Sequence, residues 1–331
     1  MRQGSDHFIR EETMKELFKP IAIAIAAVCT PAVSSAADWT PPGPITMYIG
    51  FAAGGGADTQ ARLIAQGIEE RYGWKVLPQQ LTGNSGLSLA AELAKAPADG
   101  TAIGMVVSET LTYSALAAGA DDIQLDKFTP LATTASFEFG LVAMADGAFD
   151  SWDKVDAAAK AGNPIRFGVA SDRQADVAYL FGKSAGIKLN IVPVKGGAGV
   201  MNGLRGGDLD IGWVAGAQSK PVKQGEMVNI ASGIPAALKD SPDAPMITDL
   251  GSTFYLDGYF MFIAPAKMDP AARSSLRAAI EEVLNDPATE AHTLVTNGFD
   301  GADVITGEAL DAKMKGLLED ATNLLDEASK G

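Results

Sequence analysis

Apolar residues fall along this chain in two alternating patterns: short unbroken runs, and longer stretches in which they return every third or fourth position. After a proline-rich lead-in (Pro41, Pro42, Pro44), residues 45–51 form the first unbroken run, and Gly54, Gly55 and Gly56 follow it. The run reads as a buried strand and the glycines as a turn. Asp58 has the chemistry of a helix N-cap, and Ala61, Ile64 or Ala65, Ile68 and Tyr72 recur at helical spacing until Gly73. A second strand over 75–78 leads through residues 82–86 into a helix ending near Lys95. Pro97, Asp99 and Gly100 make a turn, and 101–107 is again a buried strand. Strand and helix alternate, which predicts parallel pairing in a helix-covered sheet.

The alternation returns in the middle of the chain. Residues 165–169, 191–194, 209–214 and 228–231 are short apolar strands separated by helical stretches, a second α/β unit. Longer apolar runs at 137–144 and 255–264 are candidates for two crossings between the units, one outward and one returning. Past Pro265 the chain turns helical: Asp269 caps, Pro270 takes the first helical position, and Leu276, Ile280, Val283 and Leu284 form a face. A last helix is expected over 308–328.

Composition narrows the function classes. The 331 residues are 47% hydrophobic and 20% charged, enough for two ordinary domains and inconsistent with a disordered or collagen-like chain. Lys and Arg number 26 against 41 Asp and Glu, and the net charge of −15 makes nucleic acid an unsuitable partner. One cysteine and two histidines leave no inventory for a Cys/His metal site. Lys15 and Lys19 precede an apolar run at 21–28, and small residues continue to Ser34, Ser35, Ala36 and Ala37. This is the layout of a cleavable export signal, its apolar stretch too short to span a bilayer. The mixed charge of residues 1–13 points to Met14 as the start, and cleavage is expected after Ala36 or Ala37. Removal of the signal segment, 1–36, takes Cys29 with it and leaves a periplasmic chain with His292 as its one histidine and no disulfide. Arg2, Arg10, Lys15 and Lys19 balance Asp6, Glu11, Glu12 and Glu16, so the mature charge is also −15.

The available chemistry is that of anion binding. A strand, a glycine turn and a helix start present free N–H groups at the positive end of a helix dipole. Gly54, Gly55 and Gly56 fit that description, as do residues 82–86 and 195–199; a tight turn that merely redirects the chain is the alternative at each. Neither the spacing of a dinucleotide loop nor that of a phosphate loop is present. In open α/β sheets ligands bind beyond the carboxyl ends of the strands, where all three loops gather.

FAAGGGADTQAR at 51–62 resembles the first strand–loop–helix signature of the Bug-type receptors, the periplasmic substrate-binding proteins of tripartite tricarboxylate transporters. The likeness continues through LTGNSG at 81–86, AELAKAPADGT at 91–101, FTPLA at 128–132, PVKG at 193–196, LRGGDLDIGW at 204–213 and APAKMDP at 264–270. The resemblance implies an α/β, two-lobed type II periplasmic binding protein with a ligand cleft between lobes. Lobe one would comprise 44–138 and 254–331, and lobe two 139–253. It further implies a monomer without a cofactor that captures a small organic carboxylate, of di- or tricarboxylate or related kind, for membrane permease subunits. Carried over by position, the site would comprise Phe51, Ala53, Gly54, Gly55, Gly56, Asp58, Asn84, Ser108, Glu109 and Thr110 from lobe one. Lobe two would contribute Arg173, Gln174, Gly197, Ala198 and Trp213.

The chain departs from the family pattern at several of these places. Ala57 removes a hydroxyl, Val194 replaces an aromatic residue and Gly197 a serine, and the loop VASDRQAD at 169–176 is short and carries Arg173. Arg173 has the fork geometry for clamping a ligand carboxylate; exposure, or pairing with Asp172 or Asp176, is the alternative. Glu109 would repel a carboxylate if it pointed inward and would then suit a ligand with an amino group, but an outward-facing side chain is the expectation. Lys195 is expected to stabilise its loop, and Trp213 either lines the cleft or packs in a core. Phe137 and Phe139 are expected to serve the hinge or core, and His292 surface or packing. An exported enzyme working without histidine, a sensor that presents its ligand to a membrane kinase, and an envelope protein with a vestigial cleft are the competing functions.

Overall fold

The computed structural model describes residues 39–299 and 301–330; the expected export signal lies outside them. The first unit runs β1 (Ile45–Ile49), α1 (Gly56–Tyr72), β2 (Val76–Gln80), α2 (Leu87–Leu93) and β3 (Ala102–Val107), then a π-helical turn at Thr110–Ser114 continued by α3 (Ala115–Ala117), and β4 (Phe128–Ser136). The second runs β5 (Phe139–Met144), α4 (Trp152–Lys160), β6 (Ile165–Val169), α5 (Asp172–Ala185), β7 (Leu189–Pro193), α6 (Gly196–Gly206), β8 (Ile211–Ala215), α7 (Ser219–Lys223) and β9 (Met227–Ser232). The chain closes with β10 (Tyr259–Pro265), α8 (Pro270–Asn285), α9 (Glu290–Gly298) and α10 (Gly307–Ala328).

Two five-stranded sheets result, ordered β2-β1-β3-β10-β4 and β7-β6-β8-β5-β9. The expected parallel pairing holds for β1 with β2 and β3, and for β6 with β7 and β8. It fails at the fourth strand of each sheet, since β10 runs antiparallel to β3 and β4, and β5 antiparallel to β8 and β9. Both strands enter their sheet from the other unit, without the crossover helix that would restore a parallel direction. Helix ends follow the local chemistry. Asp269 accepts from the N–H groups of Ala271 and Ala272 at 2.9 Å each ahead of Pro270, and Gly73, in the left-handed region at φ 67°, closes α1.

Strand β4 escapes hydropathy reading because its nine residues, FTPLATTAS, are mostly small or hydroxylated, yet eight of them are buried. Their hydroxyls are satisfied internally: Thr129 donates to Pro265 O, Thr133 to Asp303 O and Thr134 to Gln60 Oε1. The strand lies at a sheet edge, where Pro130 is tolerated.

Between the sheets runs a ladder of edge-on aromatic rings. Phe139 meets Phe137 at 5.3 Å between centroids, Phe137 meets Phe260 at 5.1 Å, and Phe260 meets Phe299 at 5.1 Å. The ladder links β5 of one sheet to β10 of the other and to the end of α9, with each pair in the edge-to-face geometry that aromatic quadrupoles favour. Phe137 and Phe139 are thus core residues at the outward crossing, each 5% exposed. Because Phe137 touches two other rungs, Phe137→Ala is expected to lower unfolding stability by about 3–5 kcal/mol. Urea denaturation of the two proteins checks this.

Candidate ligand-binding site

The carboxyl ends of β1, β2 and β3 in one sheet, and of β6, β7 and β8 in the other, carry the loops that matter. Gly55 is the N-cap of α1, with extended backbone, so the helix begins inside the glycine run, and Asp58 is its third residue and not its cap. The expectation of an Asp58 cap misjudged the cost of glycine in a first turn, whose N–H groups have no intrahelical partner anyway. The Asp58 carboxylate, 4% exposed, instead reaches back to the Gly54 N–H at 2.9 Å and takes Arg62 Nε at 2.8 Å and Gln80 Nε2 at 3.3 Å. It braces the glycine loop from within. Phe51, Ala53 and Gly54 are at least partly exposed along that loop. A Cβ on Gly56 would lie 3.0 Å from Phe299 and 3.3 Å from Phe260, so the aromatic ladder favours glycine here whatever the loop binds.

The neighbouring loop holds Asn84 and Ser85 in the left-handed region at φ 48° and 54°. It is pinned by Thr110, whose hydroxyl donates to Ser85 O at 2.8 Å. Ser108 accepts from the Tyr259 N–H at 3.1 Å, tying the end of β3 to the return strand. In the second unit Ser171 caps α5, and the Gln174 amide oxygen accepts from the Ala170 N–H at 2.8 Å. Lys195 is the exposed N-cap residue of α6, and the first turn of that helix, with Gly197 and Ala198, has no side-chain cap. Gly197 lies beside the end of β8, where a Cβ would sit 3.2 Å from Val214. Trp213 is fully buried against Phe167, with ring centroids 5.2 Å apart, which settles it as core.

Two residues differ from expectation. Glu109 does not face outward: it is 6% exposed. Arg173, also 6% exposed, pairs with neither Asp172 nor Asp176. Its guanidinium donates to Asp257 O at 2.6 Å, Asp257 Oδ1 at 3.2 Å and Tyr255 O at 3.3 Å. Close by, Tyr113 donates to Asp176 Oδ2 at 2.6 Å. Both departures have one cause: α5 docks against β3 and the return segment, a tertiary contact invisible to local pattern.

A cavity of about 940 Å³ opens beside the first of these loops, between Gly54 and Gly56, the β8–α7 connection at Ala215–Ala217, and α9 with Phe299 at its end. Lys220 on α7 stands at its wall. Sequence reasoning passed over α9, whose helical periodicity signals packing and nothing else. The β8–α7 connection is held to the outward crossing by the Gly216 N–H at 3.1 Å and by Gln218 Nε2 at 2.8 Å, both donated to Glu138 O. Among the described residues no group of three or more His, Cys, Asp or Glu could hold a metal ion, and His292 directs Nδ1 to Leu284 O at 2.9 Å.

A family model described as the tripartite tricarboxylate transporter family receptor matches residues 60–314. The chain belongs to this receptor family. It is 28% identical, over 318 residues, to the UPF0065 protein in the TAR-I ttuE-ttuC' intergenic region of Agrobacterium vitis, with 94% of this chain and 91% of the relative covered. Its fold matches the R. palustris protein Rpa4515, solved with adipate, at TM-score 0.73 and 22% identity over 88% of this chain and 99% of the other. It also matches MatC (Rpa3494) of Rhodopseudomonas palustris, solved with bound malate, at TM-score 0.71 and 20% identity over 87% and 100%. The receptor therefore has the two-lobed architecture of periplasmic binding proteins.

Burial is the largest influence on the receptor's inter-unit carboxyls. It pushes Glu109 above the ordinary carboxylate range against the pull of Arg173 and Ser171, and it pushes Asp176 up against the Tyr113 bond. Asp303 and Asp320 are raised by burial as well. A carboxyl with a raised folded pKa holds its proton more tightly in the folded chain, so its stabilisation is complete below the unfolded pKa and is lost as pH rises through the folded one. Thermal melts are therefore expected to show the melting temperature rising as pH is lowered from neutrality toward the ordinary carboxylate range. Glu109→Gln should flatten that rise. Arg173→Ala leaves buried partners uncompensated and is expected to lower stability by about 3–5 kcal/mol in the absence of any ligand, read by urea unfolding.

Proposed function

We propose that this receptor is an exported periplasmic protein that captures a small organic carboxylate in the cleft between its lobes and delivers it to membrane permease subunits of a tripartite tricarboxylate-type transporter. Residues 44–138 and 254–331 make lobe one, 139–253 make lobe two, and the protein works as a monomer without a cofactor. One observation carries the reading. Helices α1 and α6, one from each sheet unit, lie beyond the carboxyl ends of parallel strands, open on glycines (Gly56 after Gly54 and Gly55; Gly196 and Gly197 after Lys195) and have no side-chain cap. Their free N–H groups and dipole ends suit a carboxylate, and in a chain of net charge −15 such backbone sites are where an anion can be held. The adipate and malate of Rpa4515 and MatC support the same ligand class.

A cargo that touches both lobes binds the closed arrangement better than the open one and so drives closure. The reading is that of a carrier that retains its ligand intact. A thermal-shift screen across organic acids tests it, since a ligand present at about 100 times its Kd adds about 2.7 kcal/mol to apparent stability. At least one acid is expected to raise the melting temperature and to be recovered unchanged; no shift across a broad panel, or turnover of the acid, contradicts the proposal.

A further inference from the structure

Helix α5 of lobe two is tied by side chains to lobe one and to the end of the return crossing. Arg173, 6% exposed, donates to Asp257 O at 2.6 Å, to Asp257 Oδ1 at 3.2 Å and to Tyr255 O at 3.3 Å. Three residues further along the same helix, Asp176 Oδ2 accepts from the Tyr113 hydroxyl at 2.6 Å. Tyr113 is 3% exposed and projects from the π-helical turn of lobe one. Asp257 is also approached by Lys313 of α10, whose Nζ lies 4.0 Å from Oδ2, and α5 packs on α10 and on the π-helical turn. Charge-assisted bonds in so buried a setting are strong, and leaving them unmade is costly.

The opposite flank is built otherwise. There α7 and α9 face each other across the cavity of about 940 Å³, with Lys220 and Lys223 on one wall and Glu290 on the other. Lys223 is taken up by Asp240 of its own lobe at 3.0 Å. A bond that crosses on this side, from Lys239 Nζ to Thr296 O at 3.3 Å, is exposed to water, and Gly216 meets Phe299 through apolar packing. An exposed lysine bond exchanges for water at little cost and frees a flexible side chain when it breaks. The unequal flanks give the lobes a preferred pivot. We infer that Arg173 and Asp176 make α5 a latch that is shut before any cargo binds, and that the cleft opens and closes on the flank between α7 and α9. The latch stands on its geometry alone; that the moving flank is the cargo's way in rests on the receptor reading.

Distances between paired spin labels test the latch. Cys29→Ser leaves the full chain without cysteine, so labels go only where cysteines are introduced. One pair, Lys183→Cys with Asn323→Cys, joins exposed positions on α5 and α10; the other, Gln224→Cys with Thr293→Cys, spans the cavity between the end of α7 and α9. Without added acid, the α5–α10 pair is expected to give one narrow distance distribution, and the pair across the cavity a distribution about twice as broad or broader. Tyr113→Phe combined with Arg173→Gln is expected to broaden the first distribution to the width of the second. Equal widths with the latch intact, or the broader distribution on the α5 flank, overturn the inference, as does a double variant that leaves the α5–α10 distribution unchanged. Should that variant fail to fold, the two widths measured with the latch intact decide alone. Failure of the organic-acid screen removes the cargo and leaves these distances standing, so the receptor reading and the latch fail separately.

Discussion

The docking of the first turns of α5 against the other lobe is the interaction on which the arrangement of the cleft depends. Two polar contacts make it: Arg173 on the backbone and side chain of the return segment, and Tyr113 on Asp176. Both are within one helical turn, so α5 is fixed in position and in rotation. The contacts are largely buried, where hydrogen bonds are strong and an unmatched charge is expensive.

A second constraint works through shape. The aromatic ladder from Phe139 to Phe299 passes between loops that must come close to it, and glycine is what permits the approach. A Cβ on Gly56 would sit 3.0 Å from Phe299, and one on Gly216 would sit 2.9 Å from the same ring. Both glycines border the cavity, so one set of residues lets the loops close on the aromatic ladder and lines the cavity wall. Glycine loops that look purely functional in the sequence are therefore also packing devices.

Much of the fold was legible because its strands are fully buried and its helices end on clear signals. Asp269 with Pro270 marks a helix start, and Gly73 and Gly207 mark helix ends. Strand β4 was not legible as a strand, since alanine and threonine carry little hydropathy signal and their burial arises from contact with later parts of the chain. The site divides along the same line. Glycine loops are local features and could be found; the bond of Tyr113 to Asp176 and the grip of Arg173 on Asp257 join residues 63 and 84 positions apart, beyond the reach of any local pattern. Trp213 could be read as cleft or core, and only its neighbour Phe167 decides for core.

In the proposed function the receptor binds through backbone amides, while Arg173 is already committed to Asp257 across the two units. The most direct test is a crystal structure of the protein with the tightest-binding acid from a broad screen. The account predicts the ligand carboxylate within hydrogen-bond reach of the first-turn N–H groups of α1 or α6, with Arg173 still bonded to Asp257. A ligand carboxylate seated on Arg173 in place of Asp257, or bound away from both helix starts, would contradict it.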